Sequence, residues 1–258
     1  MAAVRSTVRA IRSMSRGAIL QPRSGPAMIE LYFWTTPNGY KPLLFLEEAK
    51  LPYTLKPVNI SKGDQFDPAF LKIAPNNRIP ALVDTAPNGG GQPIAIFESG
   101  AILLYLAEKT NKFIPAGPTG RWDSIQWLFW QMAGLGPMAG QNHHFVQYAP
   151  EKLPYAIDHY VKETNRLYGV LNKRLADREF ITGGYSIADM PCYPWIVPYE
   201  RQGQKLEEFP HLKRWFEAIK ARPATVSAYE KGKALNTAPS VSEESKKILF
   251  GQTAAVVR

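Results

Sequence analysis

Apolar residues change their spacing once along this chain, and that change bounds what the chain can fold into. Between residues 28 and 110, short apolar runs alternate with amphipathic stretches; from about residue 118 to 235 the apolar spacing is helical throughout. A proline- and glycine-rich stretch, FIPAGPT at 113–119, separates the two regimes. The pattern predicts an α/β unit over 28–112, an all-helical unit over 118–237 and a tail over 238–258.

Within the first unit, residues 29–34 (IELYFW) read as a buried strand and 38–49 as a helix with Leu43, Leu44 and Leu46 at helical spacing. Residues 53–58 form a second strand, and SKGDQFDPAFLKI after it reads as a loop with a short irregular helix. Residues 80–84 and 94–97 flank TAPNGGGQP, a hairpin connection that makes them antiparallel neighbours. A helix over 99–110 follows, with Ile102, Leu103 and Leu106 on one face. The second unit reads as long helices: RWDSIQWLFWQMAGL, PYAIDHYVKETNRLYGVLNKRLAD, IADMPCYPWIVPYERQG and HLKRWFEAIKAR. After Thr237 the chain is polar with both charge signs, and loose packing is expected there.

The apolar runs are too short for a membrane helix, so no membrane partner is expected. A single cysteine, Cys192, leaves no intramolecular disulfide and no thiolate-built metal site within this chain. A reducing, cytoplasmic setting is the natural expectation. The formal charge of +9 suggests anionic partners, but residues 1–27 carry five arginines and no acid; without them +4 remains. Nucleic acid is therefore not an expected partner. Arg5, Arg9, Arg12 and Arg16 fall on one side of a helix beside Val4, Val8 and Ile11. Two readings of this leader stand: a mitochondrial transit peptide, or a start upstream of a true beginning at Met28.

Several short motifs carry chemistry or imitate it. Thr36-Pro37-Asn38 stands where a strand hands over to a helix, a place for a cap or for an anion held by free amides. Pro80 opens a strand and so belongs at an edge or turn. Either it is plain strand punctuation, or a cis bond exposes the backbone of Ile79 to an extended ligand. Glu98 and Ser99 begin a helix: together they suit the ammonium and carboxylate of an amino-acid head, and the plainer reading is a cap beside a surface acid. Tyr185-Ser186-Ile187-Ala188-Asp189 is a capping box, with Ser186 as N-cap and Asp189 at the third helical position. Cys192 sits among Pro191, Tyr193 and Trp195 as a core residue with no basic neighbour in sequence to activate it. His143 and His144 diverge on a helix and do not chelate together, so no metal site is expected. Trp127, Phe129 and Trp130 read as packing residues.

Taken together, these motifs resemble the cytosolic glutathione transferases over residues 28 to about 235. TPNG, PNNRIPALVD, FESGAILLYLAEKT, QWLFWQMAGLGPMAGQNHHF, PYAI and YSIAD are similar to the Nu-class bacterial enzymes and the fungal nitrogen-regulator-like group. The resemblance implies a thioredoxin-like N-terminal domain, an all-helical C-terminal domain, a homodimer and glutathione-dependent disulfide-bond reduction with small thiols and disulfides as partners. It implies that Thr36 and Asn38 lie near the glutathione sulfur, that Gln65, Ile79 and Pro80 hold the peptide's middle and glycyl end, and that Glu98 and Ser99 hold its γ-glutamyl head. Glutathione, reduced or oxidised, would be the co-substrate. At the position where the group commonly carries a glutathione-site arginine after P-Y-A-I and an acid, this chain has His159, a weaker carboxylate partner. The chemistry implied needs no protein cysteine: the positive end of a helix favours the ligand's thiolate. The competing readings are a non-catalytic glutathione-binding or regulatory protein and a conjugating transferase.

Overall fold

In the computed structural model, residues 28–236 and 241–254 are described; the arginine-rich segment 1–27 lies outside them. Strand β1 (Ile29–Phe33) alternates buried Ile29, Leu31 and Phe33 with half-buried Glu30 and Tyr32, as a central strand must. It pairs in parallel with β2 (Tyr53–Pro57) and antiparallel with β3 (Ala81–Asp84), which pairs antiparallel with β4 (Ile94–Phe97). The sheet order is β2-β1-β3-β4, so the predicted hairpin forms and β4 is left as an edge. The parallel β1–β2 pair requires a crossover, which α1 (Pro37–Ala49) supplies.

Helix α1 is buried nearly all round rather than on one face, every residue from Gly39 to Leu46 included. It packs against the sheet's β1 and also against α3 (Ser99–Thr110), α7 (Tyr193–Ile196) and α9 (Pro223–Leu235). Its first turn comes close to β1: a Cβ on Gly39 would lie 2.1 Å from the Trp34 carbonyl oxygen, so only glycine fits. Between β2 and β3 the chain forms a single 3-10 turn, Asp64–Phe66, and the short helix α2 (Pro68–Leu71).

Beyond residue 117 the described chain contains no strand, only two isolated bridges at 180–184. Helix α4 (Pro118–Trp130) runs through a π-turn (Gln131–Leu135) into α5 (Gly136–His143) and a second π-turn (His144–Tyr148). Next come α6 (Pro154–Arg174), α7, α8 (Pro210–Lys220) and α9. Two expectations fail. The long helix read over 187–203 reduces to turns around the four-residue α7, because Pro191, Pro194 and Pro198 each remove a backbone donor from the ladder. The chain after Thr237 is not loose throughout: α10 (Glu243–Phe250) is capped by Ser242 Oγ accepting from the Ser245 N–H, and it docks on the rest of the protein. No described helix is long and apolar enough to cross a membrane.

The side-chain bonds of the capping box form, but around a turn and not at the expected helix start: residues 187–192 are turns, Ser186 Oγ accepts from the Ala188 N–H, and α7 begins only at Tyr193. Asp189 Oδ2 accepts from the Ser186 N–H at 3.0 Å and from its hydroxyl at 3.1 Å. Its other oxygen accepts from the Ile181 N–H at 2.9 Å and from Trp215 Nε1 at 2.8 Å, tying a turn, a loop and α8 together. Cys192 is fully buried in the main core, as expected of a packing residue.

Candidate functional site

A cavity of about 250 Å³ opens where the starts of α1 and α3 meet the loop before β3; Asn38, Asn76, Arg78, Ile79, Pro80, Phe97, Glu98 and Ser99 line it. A second, of about 160 Å³, adjoins it through Asn38, Arg78 and Ile79 and is closed by Thr36, Gln65, Asn77, Trp195 and Leu249 among others. Asn38 lines both.

Thr36 is the N-cap of α1: its backbone is extended and its Oγ1 accepts from the Gly39 N–H at 3.2 Å. Pro37 occupies the first helical position, where a missing N–H costs nothing. Asn38 comes next, at the positive end of the helix. Trp195 donates its indole N–H to Asn38 Oδ1 at 2.9 Å. An indole nitrogen only donates, so the oxygen of Asn38 is committed to it and the amide NH2 remains as the donor at the cavity.

The bond between Ile79 and Pro80 is cis, the geometry that the second reading of that proline requires. Both residues line the larger cavity. Glu98 holds a left-handed backbone, φ 70°, and turns the chain from β4 into α3; Ser99 is the first residue of that helix and is buried. Gln65 is buried and donates to the Ile60 carbonyl at 3.3 Å, while its Oε1 has no partner. Asn77 Nδ2, beside it in the smaller cavity, is likewise unpaired. Both residues line the smaller cavity, and leaving a buried acceptor and a buried donor unsatisfied costs on the order of 1–3 kcal/mol each.

Thr36, Asn38, Gln65, Ile79, Pro80, Glu98 and Ser99 are thus brought together, and His159 is not. It lies exposed on α6, near Tyr155 and Tyr160, while Thr164, Leu167, Tyr168 and Leu171 carry the buried face of that helix. Besides Asn77, the sequence reading missed four contributors. Trp195 orients Asn38 from α7. Arg78 lines both cavities and donates to Gln252 Oε1 at 2.7 Å. Leu249 of α10 walls the smaller cavity, and Phe250 beside it packs on His144 and Tyr148. Lys41, one turn into α1, is 2 % exposed and donates to Gln131 Oε1 at 2.8 Å and to Ser99 Oγ at 3.5 Å. Burial brings its ammonium down from 10.5 to about 7, against the weaker pull of Cys192 and Glu98. A lysine inside a run of residues that are otherwise apolar, GYKPLLFL, was the signal available. No group of three His, Cys, Asp or Glu among the described residues is placed to hold a metal ion.

Comparison with known proteins bears on this geometry. Residues 27–108 match the family described as glutathione S-transferase, N-terminal domain, and residues 137–223 the corresponding C-terminal domain. The disulfide-bond oxidoreductase YfcG of Escherichia coli K12 is 56 % identical over 202 residues, which is 78 % of this chain and 94 % of YfcG. A glutathione transferase family member from Pseudomonas fluorescens pf-5, solved with two glutathione molecules bound, superimposes with a TM-score of 0.75 at 42 % identity, covering 81 % of this chain and 95 % of the other. A glutathione transferase from Pseudomonas putida, solved with one glutathione disulfide bound per subunit, gives a TM-score of 0.76 at 38 % identity, covering 80 % and 93 %. A thioredoxin-like sheet domain joined to an all-helical one, matched along both halves, makes this chain a member of the glutathione S-transferase family.

Proposed function

We propose that the protein is a glutathione-dependent disulfide-bond oxidoreductase in which Asn38 stabilises the thiolate of bound glutathione. The observation that carries this is the Trp195–Asn38 hydrogen bond, which leaves an amide donor at the positive end of α1 beside the cleft. Thr36 sets the helix start that positions it. The backbone of Ile79, exposed by the cis bond to Pro80, pairs with the peptide's middle; Gln65 and Arg78 face its glycyl end. Glu98 takes the α-ammonium and Ser99, with the first amides of α3, the α-carboxylate of the γ-glutamyl head.

The chemistry follows from a thiolate held ready. It attacks one sulfur of a disulfide RSSR; the S–S bond breaks, and the departing thiolate takes a proton from solvent. A second glutathione thiolate then attacks the mixed disulfide and releases oxidised glutathione and the second RSH. Two glutathione molecules are oxidised for each disulfide reduced, and Cys192 takes no part. The names and ligands of the relatives support the same reading, and TPNG with PNNRIPALVD supports a place in the Nu class.

A homodimer belongs to this reading. Edge strand β4 exposes Phe97, and α4 exposes Trp122 and Phe129 at 61 % and 64 %, apolar groups that a second subunit would cover. Light scattering reads the mass directly.

The decisive assay is reduction of bis(2-hydroxyethyl) disulfide by glutathione, coupled to glutathione reductase. The wild type is expected to turn over, and Asn38→Ala to lose about 10- to 100-fold in kcat with a smaller change in KM. Bound glutathione without turnover would point instead to a binding protein; unchanged turnover in the variant would remove Asn38 from the mechanism.

A further inference from the structure

Lys41 is the one charged side chain in the buried run of α1, and its surroundings do not explain its charge. Its partners are Gln131 Oε1 at 2.8 Å, Ser99 Oγ at 3.5 Å and Met132 Sδ at 3.9 Å, all neutral. Among the described residues no carboxylate forms a hydrogen bond or ion pair with it. The titratable groups facing it are Glu98, from the β4–α3 junction, and Cys192, ahead of α7. A buried ammonium lacking a contacting anion is costly, and a lysine kept in such a place implies an anion that arrives from elsewhere.

Ser99 shows where. As an ammonium Lys41 only donates, so its contact uses a lone pair of the Ser99 oxygen and leaves the hydroxyl proton for another acceptor. In the structure that acceptor is Met132 Sδ at 3.5 Å, a weak one that a carboxylate oxygen would displace. Ser99 lines the larger cavity, and Lys41 stands directly behind it.

We propose that Lys41 is the buried countercharge for the carboxylate bound at the start of α3, a positioning residue acting through Ser99. The proposal rests on the reading that the γ-glutamyl end of glutathione sits at Glu98 and Ser99. Its consequence is proton linkage: the ammonium is partly neutralised at neutral pH by burial, and an anion beside it restores the charge, so ligand binding takes up a proton. The site then grips its ligand more firmly on the acid side of neutrality.

The test is titration calorimetry with oxidised glutathione, which has no thiol to titrate, in buffers of different ionisation enthalpy. At about pH 7.5 the wild type is expected to take up about 0.5–1 proton per site, and its affinity to fall about tenfold between about pH 6.5 and 8.5. Lys41→Met, nearly isosteric, should take up less than about 0.2 proton, bind about tenfold more weakly at about pH 6.5, and change little with pH. Equal proton uptake in the two proteins, or a wild-type affinity indifferent to pH, overturns the proposal. The wild-type proton count decides even if the variant does not fold, since a count of zero is enough to reject it. Absence of any binding to the wild type would instead sink the glutathione reading, and this proposal with it.

Discussion

Asn38 is held by one side chain from 157 residues away, and its chemistry depends on that hold. With Trp195 replaced by phenylalanine the ring remains but the donor is gone, so the amide of Asn38 is free to present its oxygen to the thiolate. Disulfide turnover by Trp195→Phe should fall about tenfold while affinity for oxidised glutathione moves by less than about threefold; equal turnover would show that the orientation of Asn38 does not matter. Lys41 gives a second expectation, in stability. Its pKa is about 7 in the folded chain against 10.5 ordinarily, so between those values the unfolded state binds more protons and this residue makes stability rise with pH. Lys41→Met should therefore melt above the wild type at about pH 6.5, with the gap narrowing toward about pH 9; thermal scans giving a constant gap would contradict a depressed lysine. Thr36, Pro37 and Asn38 were legible in the sequence because a helix cap is a local device, written in consecutive residues. Trp195 and Lys41 were not, since their partners lie far along the chain and no periodicity records who meets whom.

At the level of elements, legibility followed locality again. The hairpin of β3 and β4 and the helix after it were written in turn residues and apolar spacing, and they formed over 81–84, 94–97 and 99–110. The stretch around α7 was misread because its apolar spacing is helical while its prolines are not compatible with a long helix. It holds its shape by side chains instead, and Asp189 is the anchor. Burial raises its carboxyl to about 6 against four donors that favour the ionised form, and both oxygens are fully engaged. Asp189→Ala leaves the donors of Ile181, Ser186 and Trp215 buried and unpaired, and should cost about 3–5 kcal/mol in denaturant unfolding. A loss under about 1 kcal/mol would mean that α7 and α8 are held by packing alone. Helix α10 was missed because its eight residues carry little apolar content; what fixes it is its docking, with Leu249 at the smaller cavity, the half-exposed Phe250 ring against His144 and Tyr148, and Gln252 bonded to Arg78.

For the molecule as a whole, one sulfhydryl in 258 residues lies fully buried, with its pKa pushed up by burial. The native protein should react with less than about 0.1 equivalent of Ellman's reagent over an hour and with one equivalent once unfolded in guanidinium; fast native labelling would show that the core opens. A protein that handles disulfides is exposed continuously to the reagents that trap thiols. With its own sulfur sealed in the core, this one cannot be captured by its cargo or locked by an oxidant as a dead-end adduct. It has no thiol–disulfide state of its own, so the direction and pace of its work pass entirely to the supply of reduced tripeptide around it.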